Sequence, residues 1–149
     1  MDASAISQII FLIILLIFSA FFSSAETALT TVNKIRMRTL ADDGNKRAER
    51  VLRITDDSHK MLSAILIGNN IVNLSASSLA TTLAIKLWGS VGAGIATGIL
   101  TFLILVFGEI SPKTFATLYA DQISIAYSGI IGFLMKILTP VIFLVNQFS

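Results

Sequence analysis

From Met61 to Ile85 the chain carries no charged residue except at its flanks, yet the middle of this run reads Ile67-Gly68-Asn69-Asn70-Ile71-Val72-Asn73. An uncharged run longer than about 18 residues reads as a membrane span. Lipid cannot hydrogen-bond an amide, so each polar group stranded at that depth is strongly unfavourable. Three asparagines there need partners on other helices, and the rest of the chain reads as the bundle that supplies them. Composition agrees: mean hydropathy is +0.82 and 13% of residues are charged, against about 25% in an average soluble domain. The fold class expected is an all-α integral membrane domain, embedded in the lipid bilayer.

The charges are unevenly placed. Of 11 Lys and Arg residues, Lys34, Arg36, Arg38, Lys46, Arg47, Arg50, Arg53 and Lys60 fall in one segment. Asp42, Asp43, Glu49, Asp56 and Asp57 are interleaved with them, which argues against a nucleic-acid surface. The segment reads as a cytoplasmic loop obeying the positive-inside rule. The N-terminus then lies outside, in a multi-pass protein of the cell (inner) membrane. The flank before the first apolar run carries Asp2 and no basic residue, so a cleaved signal peptide is not expected. The absence of cysteine removes disulfides, thiolate metal sites and redox chemistry.

Three spans are expected, over about residues 5–32, 60–86 and 89–110. In the first, Ser19-Ala20-Phe21-Phe22-Ser23-Ser24-Ala25-Glu26-Thr27-Ala28 permits two readings. Ser23 and Glu26 fit a capping box, with the helix breaking and freeing carbonyls before Ser23. Alternatively the helix runs on and its serines bond back to the previous turn. Residues 33–58 read as a basic helical hairpin, turning at Asp42-Asp43-Gly44-Asn45. Lys86 to Ser90 reads as a short outer loop with Trp88 as interfacial anchor. Gly94 and Gly98 form a small-xxx-small pair suited to close helix contact. The third span ends in Phe107-Gly108-Glu109-Ile110-Ser111-Pro112-Lys113, where the proline disfavours helix at Ser111. Beyond Gln122 the apolar chain is interrupted by Lys136 and Thr139-Pro140, and hydropathy leaves open a fourth span or a kinked interfacial helix. Glu26 and Asp121 read as structural residues, and His59 as a capping or headgroup-facing one.

Counting at about 1.5 Å per residue puts Ser23 roughly 16 Å from Lys34, and Asn70 roughly 15 Å from Lys60. The two reach similar depth, with Ser19 and Asn73 one turn further out. Glu109 is only four residues from Lys113, which leaves it shallower by roughly 9 Å on the same rise. If these groups converge, they form an all-oxygen set of hydroxyls, amides and one carboxylate. Such a set suits Mg²⁺, Ca²⁺ or Na⁺ rather than zinc or copper. A lone intramembrane carboxylate is a functional candidate by default. The bland alternative is that the asparagines cross-bond the helices while Glu109 sits in interfacial water.

Taken together, the three motifs Ser19 to Ala28, Ile67 to Asn73 and Phe107 to Lys113 resemble the transmembrane domain of the CNNM/CorC magnesium transporters. The form Ser-Ala-x-x-Ser-x-x-Glu-Thr-Ala is closest to bacterial members. The resemblance implies three transmembrane helices, juxtamembrane helices forming a cytoplasmic belt over about residues 112–147, a cytoplasmic C-terminus and a homodimer. It implies a Mg²⁺ site drawn from Ser23 with Ser19 or Ser24, from Asn69, Asn70 and Asn73, and from Glu109, with the carbonyl of Gly108 or Ala20 contributing. It also implies Mg²⁺ export driven by Na⁺. Family members continue into cytoplasmic CBS domains that bind ATP and Mg²⁺. This sequence stops at Ser149, before such domains, so nucleotide regulation is not expected of it.

Two function classes follow. One is a carrier in which Mg²⁺ sheds most of its water and binds Glu109, Asn70 and Ser23. The other is a membrane Mg²⁺ sensor or scaffold that binds without flux. An enzyme is not expected, because no nucleophile–base pair is visible.

Overall fold

A computed structural model describes residues 3–147. Asp2, on which the signal-peptide argument rests, and the C-terminal Phe148 and Ser149 lie outside the described residues, as does Met1. The described residues are all-α with no strand: α1 (Ala3–Thr31), α2 (Lys34–Asp42), α3 (Lys46–Asp56), α4 (Ser58–Ile104), a π-helical segment (Leu105–Ile110), α5 (Ser111–Leu118), α6 (Ala120–Ile137) and α7 (Thr139–Gln147). Two stretches are long and apolar enough to cross a membrane, Ala3–Thr31 and Ser58–Leu118. The chain divides into two compact units, one built from residues up to Ser23 with Asn69–Pro112, the other from Ser24–Gly68 with residues from Lys113 onward.

In the first unit α1 is amphipathic in reverse. Ile10, Ile17 and Phe18 are exposed, whereas Ser19 and Ser23 are 1% and 0% exposed. Water would not select that arrangement, but hydrocarbon does: it solvates the isoleucines and leaves the hydroxyls to find protein. The helix is unbroken through Thr31, so Ser23 is no N-cap and the capping-box reading gives way to the continuous one. The cause is local, because nothing from Ser19 to Ala28 interrupts the backbone ladder.

A straight helix over Ser58–Leu118 would be about three times the thickness of a bilayer core. It is not straight. Gly89 has φ 72° and ψ −176°, and the two limbs of α4 fold back around it. The five-residue outer loop expected at Lys86 to Ser90 is thus reduced to one residue in a backbone region that only glycine occupies readily. Trp88 is 61% exposed beside it. A Cβ on Gly92 would stand 2.6 Å from the Trp88 Cβ, so the second limb starts against the tryptophan only because position 92 has no side chain.

The returning limb does not break at Ser111, which has helical φ −63° and ψ −45°. The strain from Pro112, which lacks an N–H for the carbonyl four residues back, is met instead by widening the helix to π geometry. The Ser111 N–H donates to the Val106 carbonyl, five residues back.

In the second unit, Asn33 and Asn45 cap the basic hairpin. The Asn33 side chain accepts from the Arg36 N–H at 3.0 Å, and Asn45 accepts from Arg47 and Ala48 at 3.0 and 3.1 Å. Gly44, at φ 95°, makes the turn between the helices. α3 buries Ala48, Val51 and Ile54, and α6 packs on it through a buried stripe including Ser124, Ser128 and Ile131. Asp121, expected to be structural, accepts from the Asn33 N–H at 2.9 Å and pairs with Arg36 at 3.6 Å. α6 and the following helical residues are bent by 61° at Leu138, a geometry that fits a broken fourth span as well as a kinked interfacial helix.

Gly89→Ala should lower unfolding free energy by about 1–3 kcal/mol, the range for forcing a side chain into a glycine-only backbone region. Because no atom lies within 4 Å of the added Cβ, the loss is one of backbone conformation. Titration with denaturing detergent in mixed micelles measures it, and an unchanged midpoint would contradict the hairpin turn.

Candidate cation site

The helical limbs bring the polar residues of the first unit to one level. Ser4 accepts from the Lys86 ammonium at 3.0 Å, and the Ser19 hydroxyl donates to Asn73 Oδ1 at 2.8 Å. Residue numbers fall along α1 as they rise along the first limb of α4, so these two helices run antiparallel. The Asn73 amide then donates through Nδ2 to Glu109 Oε1 at 3.3 Å. This bond spans a stretch that straight helix would carry about 54 Å, and the turn at Gly89 closes it. Gly108 completes the contact: a Cβ there would meet Ser19 Oγ at 3.0 Å and Leu16 Cδ1 at 3.4 Å. The glycine lets the π-helical segment lie directly on α1.

One turn from the Ser19–Asn73 pair lie Ser23 on α1 and Asn69 on α4. Four residues is close to one helical turn, so each shares its neighbour's face. In the antiparallel register, one step forward on α1 faces one step back on α4. Ser23 Oγ and Asn69 Oδ1 are both buried and have no hydrogen-bond partner. Most of the chain's threonines behave otherwise, Thr30, Thr31, Thr55 and Thr81 all bonding back to a carbonyl of the preceding turn. A buried acceptor without a donor is destabilising by about 1–3 kcal/mol. These two acceptors, one turn from the Ser19–Asn73 pair, are the candidate ligand oxygens of the first unit.

The other candidates separate. Asn70, which the sequence argument placed with Ser23 and Glu109, is exposed. It is turned about 100° around α4 from Asn69, and Asn73 holds Glu109 in its place. Ser24 is 6% exposed and belongs to the second unit. The depth mismatch computed for Glu109 disappears because helix continues past Lys113 to Leu118, so Lys113 does not mark where the third helix ends. The π-helical segment that carries Gly108 and Glu109 was not anticipated; its signal was the Gly108/Pro112 spacing, in which the proline removes the donor that would serve the glycine carbonyl.

No group of three His, Cys, Asp or Glu residues that could hold a metal occurs among the described residues. The oxygens that do come together are one carboxylate, one hydroxyl and one amide, a chemistry compatible with a hard cation. Toward Gly89 the environment changes: a cavity of about 620 Å³ is lined by Leu16, Ala76, Leu83, Trp88, Ile95 and Leu100 among other apolar side chains. It offers nothing to a hydrated ion.

An all-α domain with a reverse-amphipathic first helix and a glycine-turned hairpin of apolar limbs is an integral membrane domain. The chain belongs to the CNNM family: residues 10–149 match the model of the Cyclin M transmembrane N-terminal domain. It is 45% identical, over its whole length, to a UPF0053 protein of Haemophilus influenzae. It is 41% identical over 88% of its length to the UPF0053 inner membrane protein YfjD of Escherichia coli, and 38% identical over 90% to a chloroplastic DUF21 domain-containing protein of Arabidopsis thaliana. The matched parts are 36%, 31% and 20% of those relatives, so the chain spans about a third of the length of the bacterial ones.

The two kinds of polar residue should respond with opposite sign. In metal-free protein, Asn73→Ala removes the acceptor of the Ser19 hydroxyl and one donor to Glu109, and should lower stability by about 1–3 kcal/mol. Ser23→Ala removes a hydroxyl that has no partner and should leave stability unchanged or raise it by up to about 1 kcal/mol. Unfolding midpoints of the two variants in one detergent compare them directly; equal losses would mean that Ser23 is bonded in the folded protein.

Proposed function

We propose that this domain carries Mg²⁺ across the cell membrane. The ion is cargo: it sheds most of its water and is held by Ser23 Oγ, Asn69 Oδ1 and the Glu109 carboxylate, with Ser19 and Asn73 able to turn their oxygens toward it. The observation that supports this reading is the pair of buried, unpartnered oxygens one turn from the Ser19–Asn73 pair that reaches Glu109. Mg²⁺ gives up water reluctantly, so the charge of Glu109 dominates binding. The apolar cavity toward Gly89 blocks a hydrated ion, so passage needs the helices to tilt and open that side in a second conformation, as in carriers that alternate access around a mid-membrane site.

The remaining particulars belong to the same proposal. The N-terminus lies outside and the basic hairpin inside, by the distribution of Lys and Arg. Export is driven by Na⁺ entering down its gradient. Two copies pair, with Gly94 and Gly98 on the contact face, where an added Cβ would meet nothing within 4 Å of its own chain. The relatives' greater length fits cytoplasmic CBS domains following the membrane domain.

Glu109→Gln keeps the shape and removes the charge. Reconstituted in vesicles, it should lower Mg²⁺ flux by at least about tenfold, equivalent to about 1.4 kcal/mol. Flux equal to wild type would remove the central residue. Ion binding retained in titration without counterflow would identify a sensor instead of a carrier.

A further inference from the structure

We infer that the second unit binds the phosphate of an anionic phospholipid in the groove between α3 and α6. This rests on observations independent of the cation reading. The groove, about 420 Å³, is lined by Arg50, Arg53, Ile54, Gly129, Gly132, Phe133 and Lys136. Three cations and no carboxylate face it. Arg36 pairs with Asp121, but Arg50, Arg53 and Lys136 make no ion pair among the described residues. Elsewhere in this segment acidic residues interleave with basic ones, which makes the unbalanced triad a local feature rather than a consequence of net charge.

Two glycines make the groove. The Arg50 guanidinium lies 2.8 Å from where a Cβ of Gly129 would stand, so it rests on the α6 backbone in space that a side chain would fill. A Cβ at Gly132 would touch Ile54 Cγ2 at 3.6 Å, so this glycine forms the floor. Guanidinium groups offer paired N–H donors matched to phosphate oxygens, and Lys136 adds a point charge.

The occupant is a lipid rather than free phosphate because of what rims the groove. Phe133, which lines it, is 62% exposed, and Ile130 and Ile137 on the same helix are 52% and 53% exposed. A soluble anion has no use for these side chains. A phospholipid places its phosphate on the three cations and its acyl chains on the apolar rim, in the manner of basic headgroup pockets beside membrane helices.

The test uses the purified full chain in detergent, with bound lipid counted by native mass spectrometry. Phosphatidylglycerol should be retained in preference to phosphatidylcholine, and millimolar inorganic phosphate should not displace it. Arg50→Gln with Lys136→Gln should weaken phosphatidylglycerol binding roughly 25-fold, about fivefold per charge. Lys34→Gln with Arg38→Gln removes the same charge elsewhere on the hairpin and should weaken it less than about fivefold. Lys136→Arg should retain binding. Equal losses in the two double variants, or no preference between the lipids, would overturn the site. Displacement of the lipid by inorganic phosphate would make it a soluble-anion site and overturn the lipid assignment.

Discussion

A polar group surrounded by hydrocarbon must be satisfied by protein, and the arrangement of the first unit follows from that requirement. The Ser19 hydroxyl, the Asn73 amide and the Glu109 carboxylate form one chain of bonds, at 2.8 and 3.3 Å, across three helical segments. Each link fixes a different feature. Ser19 to Asn73 sets the antiparallel register of α1 against α4. Asn73 to Glu109 requires the α4 limbs to return on themselves, and so requires a turn at Gly89. Gly108 allows the carboxylate-bearing segment close enough to reach. Bonds of this kind in membranes are worth only about 0.6 kcal/mol each on average, so their effect is on which packing forms rather than on how stable it is.

Much of this was legible in the residues. Asparagines within an uncharged run announce cross-helix bonding, and the Lys/Arg segment marks where the first span ends. The serines of α1 left two readings open, a capped break or a continuous helix, and the continuous helix is what forms. What could not be read was rotation and backbone register. Asn69, Asn70 and Asn73 are chemically alike, and only the packing angle of α4 decides that Asn69 and Asn73 face α1 while Asn70 is exposed. The reversal at Gly89 looked like a loop because five consecutive residues there suit an interface, whereas one glycine with positive φ suffices. Pro112 signalled a break, and the helix absorbed it by changing pitch, a response that propensity alone does not encode.

The same pitch change explains how a carboxylate close in sequence to a lysine can sit beside an asparagine from the middle of another helix. A π-helical turn shifts the side chains that follow it and widens the backbone spiral, which re-aims Glu109 and Gly108 together. Simple counting from Lys113 fails for that reason, and because α5 extends the helix past the lysine. Depth estimates from charged residues hold only where the helix stops at the charge.

Asn73 has a particular position under the cation reading. With no ion present its Nδ2 supplies a partial positive charge to the Glu109 carboxylate, and its Oδ1 is occupied by Ser19. On that reading an arriving Mg²⁺ would compete with an amide N–H for the carboxylate. The amide would then be free to rotate and present Oδ1, turning a structural bridge into a ligand. Ser23 and Asn69 need no such exchange, since their oxygens are already unbonded. A site that holds some ligands ready and others occupied would bind less tightly than one fully preorganised, and under the proposed carrier function that would ease release of the ion.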